Sequence, residues 1–305
     1  MIITNRQNLP KTLVNAITRH EHKSNADVSV SQLLKSPREF WLNKRHEAEI
    51  EVDASTQIWS LFGTVTHGII ELGESENALV EEYFPCIKIG KYTISGTLDL
   101  YEDGYVHDWK TSSVWTLIFL DDAKKAEYIS QLNSYAAFLR LKGFEVKGCK
   151  IHLLMRDWQK SKATFDANYP SSQVQTINFP LFTQEQTLAY IEKRLDYLMS
   201  FKDVPDDELP KCSSSYRWAK PSKWALMKTG RKSAVKLYNT KDEAESQVTD
   251  DKYYVEERKA DEWKRCEYCS AWKFCNQTKY VETPIRENPE LKCEMSYEKF
   301  MEVVG

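Results

Sequence analysis

The sequence predicts a mixed α/β fold, a central sheet flanked by helices, with a cysteine-bearing C-terminal segment. Three observations carry this expectation. Apolar and polar residues alternate over 79–89 and 91–101, the period of half-buried strands, and a third strand-like run, 105–111, follows Asp103-Gly104, a pair suited to a tight hairpin turn. A long amphipathic pattern over 122–142 stops near Gly143. A Val-, Ile- and Leu-rich run at 144–157 and a second helical pattern at 183–202 complete the order helix–β–β–β–α–β–α, enough for an α/β core of about 200 residues.

The elements follow in order. Residues 1–27 read as an N-terminal extension. Residues 28–45 place Leu33, Leu34, Phe40 and Trp41 at roughly helical spacing behind Ser29 and Ser31 as candidate caps. Residues 57–72 are so apolar that a largely buried helix is expected. The core is assigned to 28–203. The polar, Pro-containing stretch DVPDDELPKCSSS marks a boundary, and 204–280 forms a second unit, basic at first and cysteine-rich at its end. A tail, 281–305, is expected to pack loosely.

Composition narrows the function classes. In 305 residues, 42 Lys and Arg face 45 Asp and Glu, a net charge of −3, so a globally polybasic protein is excluded and any nucleic-acid surface must be local. The 41% apolar content supports a core. No apolar run reaches the roughly 18 residues of a membrane-spanning helix, and the N-terminus lacks a signal-type apolar region, so a cytoplasmic protein with no membrane partner is expected. A reducing compartment disfavours disulfides, and clustered cysteines there are metal or cluster ligands first.

The hairpin carries the chemistry. With its turn centred on Asp103 and Gly104, Asp99 falls opposite Asp108 and Thr97 opposite Lys110. Asp108 and Lys110 then share one face of the sheet with Asp99. Opposed Cβ atoms lie roughly 4.5–5.5 Å apart, and two carboxylates that close repel unless a cation lies between them. Oxygen ligands favour Mg²⁺ or Mn²⁺. Lys110 is placed to hold a water or a developing phosphate charge. The alternative is an exposed hairpin with ordinary surface charges.

Gly96-Thr97-Leu98-Asp99 followed by Asp108-Trp109-Lys110-Thr111 resembles the PD-(D/E)XK nuclease signature, in its RecB-like branch. Gly63-Thr64-Val65-Thr66-His67, with Glu71, resembles the first motif of that branch, whose His is a metal ligand. Gln131-Leu132-Asn133-Ser134-Tyr135 is similar to its Q-x-x-x-Y motif. Ser31-Gln32-Leu33 and Ser36-Pro37-Arg38 resemble its N-terminal S-x-L and C-P-R segment. The likeness covers about residues 28–280 and implies a restriction-endonuclease-like core. It implies metal ligation by His67, Asp99, Asp108 and the Trp109 carbonyl, with Lys110 catalytic and Gln131 and Tyr135 orienting the strand and the DNA backbone. The activity implied is metal-dependent DNA phosphodiester hydrolysis, by an exonuclease of phage or plasmid type acting in recombination, repair or end processing. An imidazole among the carboxylates tilts the site toward Mn²⁺.

Cys266-x2-Cys269-x5-Cys275 is a strong ligand pattern that needs a fourth member, for which Cys212 is the choice. The triplet resembles that of iron–sulfur nucleases of the AddB and CRISPR-adaptation groups, which implies a 4Fe-4S cluster, with zinc as the alternative. Those proteins carry a cysteine where this chain has Ser36. Cys86, Cys149 and Cys293 are isolated and read as core or surface thiols. The stretch 217–236 holds seven Lys or Arg and no acid. Its Arg217, Trp218, Lys220, Lys223, Trp224, Lys228, Arg231 and Lys232 suit single-strand binding, by phosphate pairing and base stacking. A solvated Lys-rich hairpin with its Trp residues in a local core fits equally. No phosphate-binding G-x-x-x-x-G-K-[ST] loop occurs, so a recombinase, helicase or single-strand-binding protein is the natural partner beside DNA. The other readings are a CRISPR-adaptation-type end-trimming nuclease and, in a different class, a non-catalytic zinc or iron–sulfur DNA-binding protein.

Overall fold

The computed structural model describes residues 1–18, 24–73, 75, 77–286, 292, 295, 296, 299 and 303. Most of the 281–305 tail, Cys293 included, lies outside the described residues. In chain order the elements are β1 (Ile2–Thr4), α1 (Lys11–Thr18), β2 (Val28–Ser29), α2 (Pro37–Arg45), β3 (Glu51–Asp53), α3 (Ile58–Ile70), β4 (Ala78–Ile89), β5 (Tyr92–Glu102), β6 (Tyr105–Ser112), α4 (Val114–Ile118), α5 (Asp122–Leu141), β7 (Gly148–Met155), α6 (Lys160–Phe165), β8 (Val174–Phe179) and α7 (Gln184–Met199). The C-terminal part adds β9 (Lys223–Lys228), β10 (Lys236–Tyr238), α8 (Lys241–Glu245) and β11 (Tyr253–Arg258). The fold is mixed α/β, a mixed six-stranded sheet flanked by helices.

Local chemistry sets the elements. Asp103 (φ 53°) and Gly104 (φ 88°) form the hairpin turn, both at the positive φ that such turns require. Asp121 caps α5 by accepting from the Lys124 N–H (2.8 Å), and Gly143 (φ 89°) follows its end. Thr183 and Gln186 form a capping box on α7. The helical reading of 28–45 is corrected: Ser29 caps a single 3-10 turn, Val30–Gln32, and α2 starts only at Pro37 behind Ser36. A proline fits the first helical turn, where its missing N–H costs nothing.

Strand β5 has three partners but only two edges. β4 runs antiparallel along one of them. On the other, β2 pairs parallel at Ile94–Ser95 and β6 pairs antiparallel at Leu100–Glu102, leaving a gap between. β6 continues parallel to β7, and α5 makes that crossover. β8 closes the sheet antiparallel to β7. The core lies between this sheet and α2, α5 and α7, around Leu33, Phe84, Leu98, Leu132, Phe138 and Leu195.

The expected burial of 57–72 is not met. No residue of α3 is buried. One side of the helix faces β6 across Gly63, where an added Cβ would lie 3.9 Å from Thr111 Oγ1, and another meets α1. Trp59, Phe62, Val65 and Ile69 are exposed.

The domain limits drawn from composition are bridged by contacts. β1 pairs parallel with β3, tying the N-terminal extension to the core. The buried Arg38 guanidinium donates to the carbonyls of Asp207, Leu209 and Pro210 and to Asn276 Oδ1 (2.6 Å). It thereby fastens the start and end of the cysteine-bearing unit onto α2. Among the described residues no helix is long and apolar enough to cross a membrane.

Candidate metal centre and cysteine cavity

The observed hairpin register is the expected one: Leu100 pairs with His107, Tyr101 with Val106 and Glu102 with Tyr105. The ladder stops one step before Asp99 and Asp108. There the strands part, and the Trp109 N–H donates instead to Asp99 Oδ2 (2.8 Å). Asp99 therefore bridges the gap with its side chain. Burial, and next the Asp108 charge, push its carboxyl up to about 7, although His67, Lys110 and the Trp109 N–H pull the other way.

His67 reaches the same place from α3. Its Nδ1 lies 3.0 Å from Glu81 Oε1 and 3.6 Å from Asp99 Oδ2. The Glu81 hydrogen bond raises the His67 pKa above its ordinary value. Candidate ligand atoms of His67, Glu81 and Asp99 all lie within 4.8 Å of one another. Glu71, which shares the motif with His67 in the sequence, is exposed, so the carboxylate beside the imidazole is Glu81 and not its i+4 neighbour.

Asp108 is 1% exposed. Both of its oxygens face Lys110 Nζ, Oδ1 at 2.8 Å and Oδ2 at 2.6 Å. This buried charge is thus already paired with the Lys110 ammonium, and it is the repulsion between Asp99 and Asp108 that suits a further cation. Asp108 lies outside the His67–Glu81–Asp99 trio, closed onto Lys110. Trp109 enters the site through its N–H. Its indole, on the other face of β6, stacks on His152 at 4.4 Å, and His152 Nε2 lies 2.8 Å from His107 Nδ1.

Gln131 and Tyr135 lie behind β5 and β6. The Gln131 side chain hydrogen-bonds Tyr135, whose hydroxyl burial holds well above its ordinary pKa. Tyr135 packs on Gly96 so closely that a Cβ there would lie 2.8 Å from Tyr135 Cε1. This is the physical reason for the glycine that opens Gly96-Thr97-Leu98-Asp99, and it makes Tyr135 a positioning residue.

Glu81 escaped sequence reasoning. From the Tyr92↔Ile89 end of the β4–β5 hairpin, simple counting brings Glu82 opposite Asp99. A bulge between Phe84 and Ile87, at Pro85 and Cys86, shifts the register by one residue. Glu81 then falls opposite Asp99, between the pairs Val80↔Leu100 and Glu82↔Leu98, with φ 49°. The signal was present: a proline inside a strand pattern marks an edge strand or a bulge.

The four cysteines chosen from sequence, Cys212, Cys266, Cys269 and Cys275, line one cavity of about 30 Å³. Arg38, Glu39, Tyr216, Trp263 and Trp272 enclose it. Ser36 Oγ lies 3.0 Å from Cys212 Sγ, so Cys212 sits beside the position where the resemblance places a cysteine. Burial pushes the Cys269 thiol up to about 12 and raises those of Cys212 and Cys266. The donor set and its enclosure fit a thiolate-bound metal or cluster, which is bound only on deprotonation. Cys149 is buried in β7 and Cys86 is exposed in the β4 bulge, both away from this cavity.

The basic stretch does not form one stripe. Arg217 braces the cysteine-bearing segment, lying 4.3 Å over the Trp263 ring and donating to Glu262 O (2.6 Å) and Cys212 O (3.3 Å). Trp218 packs near Tyr268, with ring centroids 5.8 Å apart. Lys220 bridges to Asp261 through its backbone. Lys223 bonds Asn239, Trp224 is half-buried with Lys241 above it, and Lys228 covers Tyr253. Arg231 bonds Ser233, and Lys232 is exposed. Lys223 and Lys228 are five residues apart on β9 and point to opposite faces. The arrangement is closer to a Lys-rich sheet with its own small core.

No family model, no curated protein and no solved structure matches this chain.

Proposed function

We propose that this chain is a divalent-metal-dependent DNA exonuclease with a PD-(D/E)XK core of RecB-like type, acting on DNA ends in recombination, repair or end processing. The observation that carries the reading is the meeting of His67, Glu81, Asp99, Asp108 and Lys110 where β6 parts from β5, with three carboxylates and one imidazole around a single lysine. His67, Glu81, Asp99 and Asp108 would hold Mg²⁺ or Mn²⁺. When bound, such an ion neutralises charge at a scissile phosphate and makes water a better nucleophile.

The remaining work falls to the protein. Glu81 holds the His67 ring through Nδ1, which leaves Nε2 as the free ring nitrogen. The Trp109 N–H fixes the Asp99 carboxylate. Lys110 Nζ, paired with Asp108, would donate to a phosphate oxygen or, once it has given up a proton and left that pair as the neutral amine, take one from the attacking water. Tyr135 and Gln131 hold the strand that carries Asp99. In the cysteine cavity we favour a 4Fe-4S cluster over zinc, with the structural task of fastening the C-terminal unit to α2. The position of Ser36 against Cys212 favours, as a second reading, an end-trimming nuclease of the CRISPR-adaptation kind.

The test is digestion of end-labelled linear DNA and of closed circular DNA with Mn²⁺ or Mg²⁺. Linear DNA should be degraded from its ends and circles spared. Asp108→Ala and Lys110→Ala should each lower the rate on the order of 10²–10³-fold or more. Wild-type rates in both variants would refute the site. DNA binding without cleavage under either metal would leave the non-catalytic DNA-binding reading in its place.

A further inference from the structure

The catalytic strand β6 leads directly into exposed aromatic surface. Ser113 begins α4, whose Val114 N–H is held by Asp157 Oδ1 (2.7 Å). Trp115 is 59% exposed and Phe119 70% exposed. Their rings stack with centroids 5.5 Å apart and planes only 12° from parallel. The neighbouring end of β7 supplies Arg156, whose N–H donates to Ser112 O (3.0 Å) at the last residue of β6. The Arg156 guanidinium lies 4.2 Å over the ring of Trp59, which is 62% exposed and 5.6 Å from Phe62. Two aromatic pairs and one cation thus lie around the exit of the strand that carries Asp108 and Lys110, one pair following Ser113 in the chain and the other joined to Ser112 through Arg156. No acidic residue lies within α3 or α4.

Water-exposed aromatic rings are expensive to leave unused, and these have the chemistry of one class of ligand. Every nucleobase offers a π-face, and base–aromatic stacking is strong and tolerant of sequence. Bases inside a duplex are already stacked on each other and cannot reach such rings. A guanidinium resting on an indole adds a cation for the backbone phosphate. Resting on the nuclease reading, we propose that Trp115 and Phe119, with Trp59 and Arg156, form a stacking surface for the unpaired bases beside the scissile phosphate, so that the site takes single-stranded ends in preference to duplex.

Binding is measured on the full chain in EDTA, which prevents cleavage, by anisotropy of a labelled oligothymidylate and of a blunt hairpin duplex of equal length. The double variant Trp115→Ala/Phe119→Ala should bind oligothymidylate about 10- to 100-fold more weakly, the range of one stacked base, and bind the duplex nearly as before. The slope of affinity against salt should stay the same, because no phosphate contact is removed. Phe119→Trp, which keeps a π-face and the fold, should restore binding. Phe165→Ala, at a still more exposed ring on α6, should match wild type. Equal oligothymidylate affinity in wild type and the double variant overturns the proposal. So does a double variant that instead splits a dimer into monomers, which would make this a protein contact. If wild-type protein cuts DNA and only these variants are silent, the stacking surface falls alone; if wild type binds neither probe, the nuclease reading falls with it.

Discussion

Replacing Asp99 by Asn should abolish cleavage and yet stabilise the metal-free protein. The amide oxygen still accepts from the Trp109 N–H, but the buried charge is gone. In wild type, burial first and Asp108 second raise this carboxyl from its ordinary 3.8 to about 7. The folded state therefore keeps a proton that the unfolded chain releases. Stability from that proton is complete below about pH 3.8 and is lost as pH rises through about 7. The interval corresponds to roughly 4 kcal/mol, at about 1.36 kcal/mol per pKa unit, a large share of the 5–15 kcal/mol typical of a domain. Asn has no proton to lose. Urea unfolding in EDTA should therefore find variant and wild type alike near about pH 4 and separating by up to several kcal/mol near about pH 8. Mn²⁺ at the higher pH should recover the wild type and leave the variant unmoved. A variant less stable than wild type at about pH 8, or a difference that ignores pH, would refute the assignment of Asp99 as a buried, repelled carboxylate.

Glu81→Gln should lower His67's pKa toward its ordinary value, read by NMR titration, and reduce cleavage and metal affinity about 10- to 100-fold, as loss of a partner that orients a ligand does. Gly96→Ala should destabilise by about 1–3 kcal/mol in chemical denaturation, because its Cβ would meet Tyr135 and Val30 at 2.8–3.0 Å. Anaerobically purified protein should absorb broadly near about 400 nm. Cys269→Ser should remove that band and aggregate, whereas Cys149→Ser should keep it; a colourless wild type with zinc would replace the iron–sulfur reading and keep the four ligands.

Strand β7 and helix α7 were legible because each buries one face more than the other, whereas α5, expected to be amphipathic, is buried all round from Leu132 to Leu139. The hairpin at Asp103-Gly104 fixed its own register, and two-residue counting gave the pairs from Leu100↔His107 to Glu102↔Tyr105, but it could not show that the ladder ends one step short of Asp99 and Asp108. Helix α3 was misjudged because apolar composition says only that a residue avoids water, not that the fold covers it. Trp59, Phe62 and Ile69 are apolar and exposed, and no periodicity reports which face a helix leaves open. Arg217 was misjudged for the opposite reason. A cation among lysines reads as surface charge, yet its guanidinium is spent on Glu262 and Cys212 carbonyls and on the Trp263 ring.

Glu81 shows a deeper limit. Strand alternation is a parity rule, so one inserted residue exchanges every inward and outward side chain beyond it. The β4 bulge does this between Phe84 and Ile87, and it selects Glu81 over the adjacent Glu82 as the carboxylate facing Asp99 and His67. Glu82, sent to the other face, pairs instead with Lys142 at 2.8 Å. The two glutamates are chemically identical and adjacent, so composition cannot separate them; only the bulge can. A deletion that removes Cys86 takes out only the extra residue, so Pro85 should then face Ser95, while Phe84↔Gly96 and Glu82↔Leu98 keep their partners, with Glu81 still opposite Asp99 and Glu82 still beside Lys142. If His67 loses its raised pKa in that deletion, or if Glu82→Gln rather than Glu81→Gln then lowers it, the bulge does not set the register and the argument from parity fails.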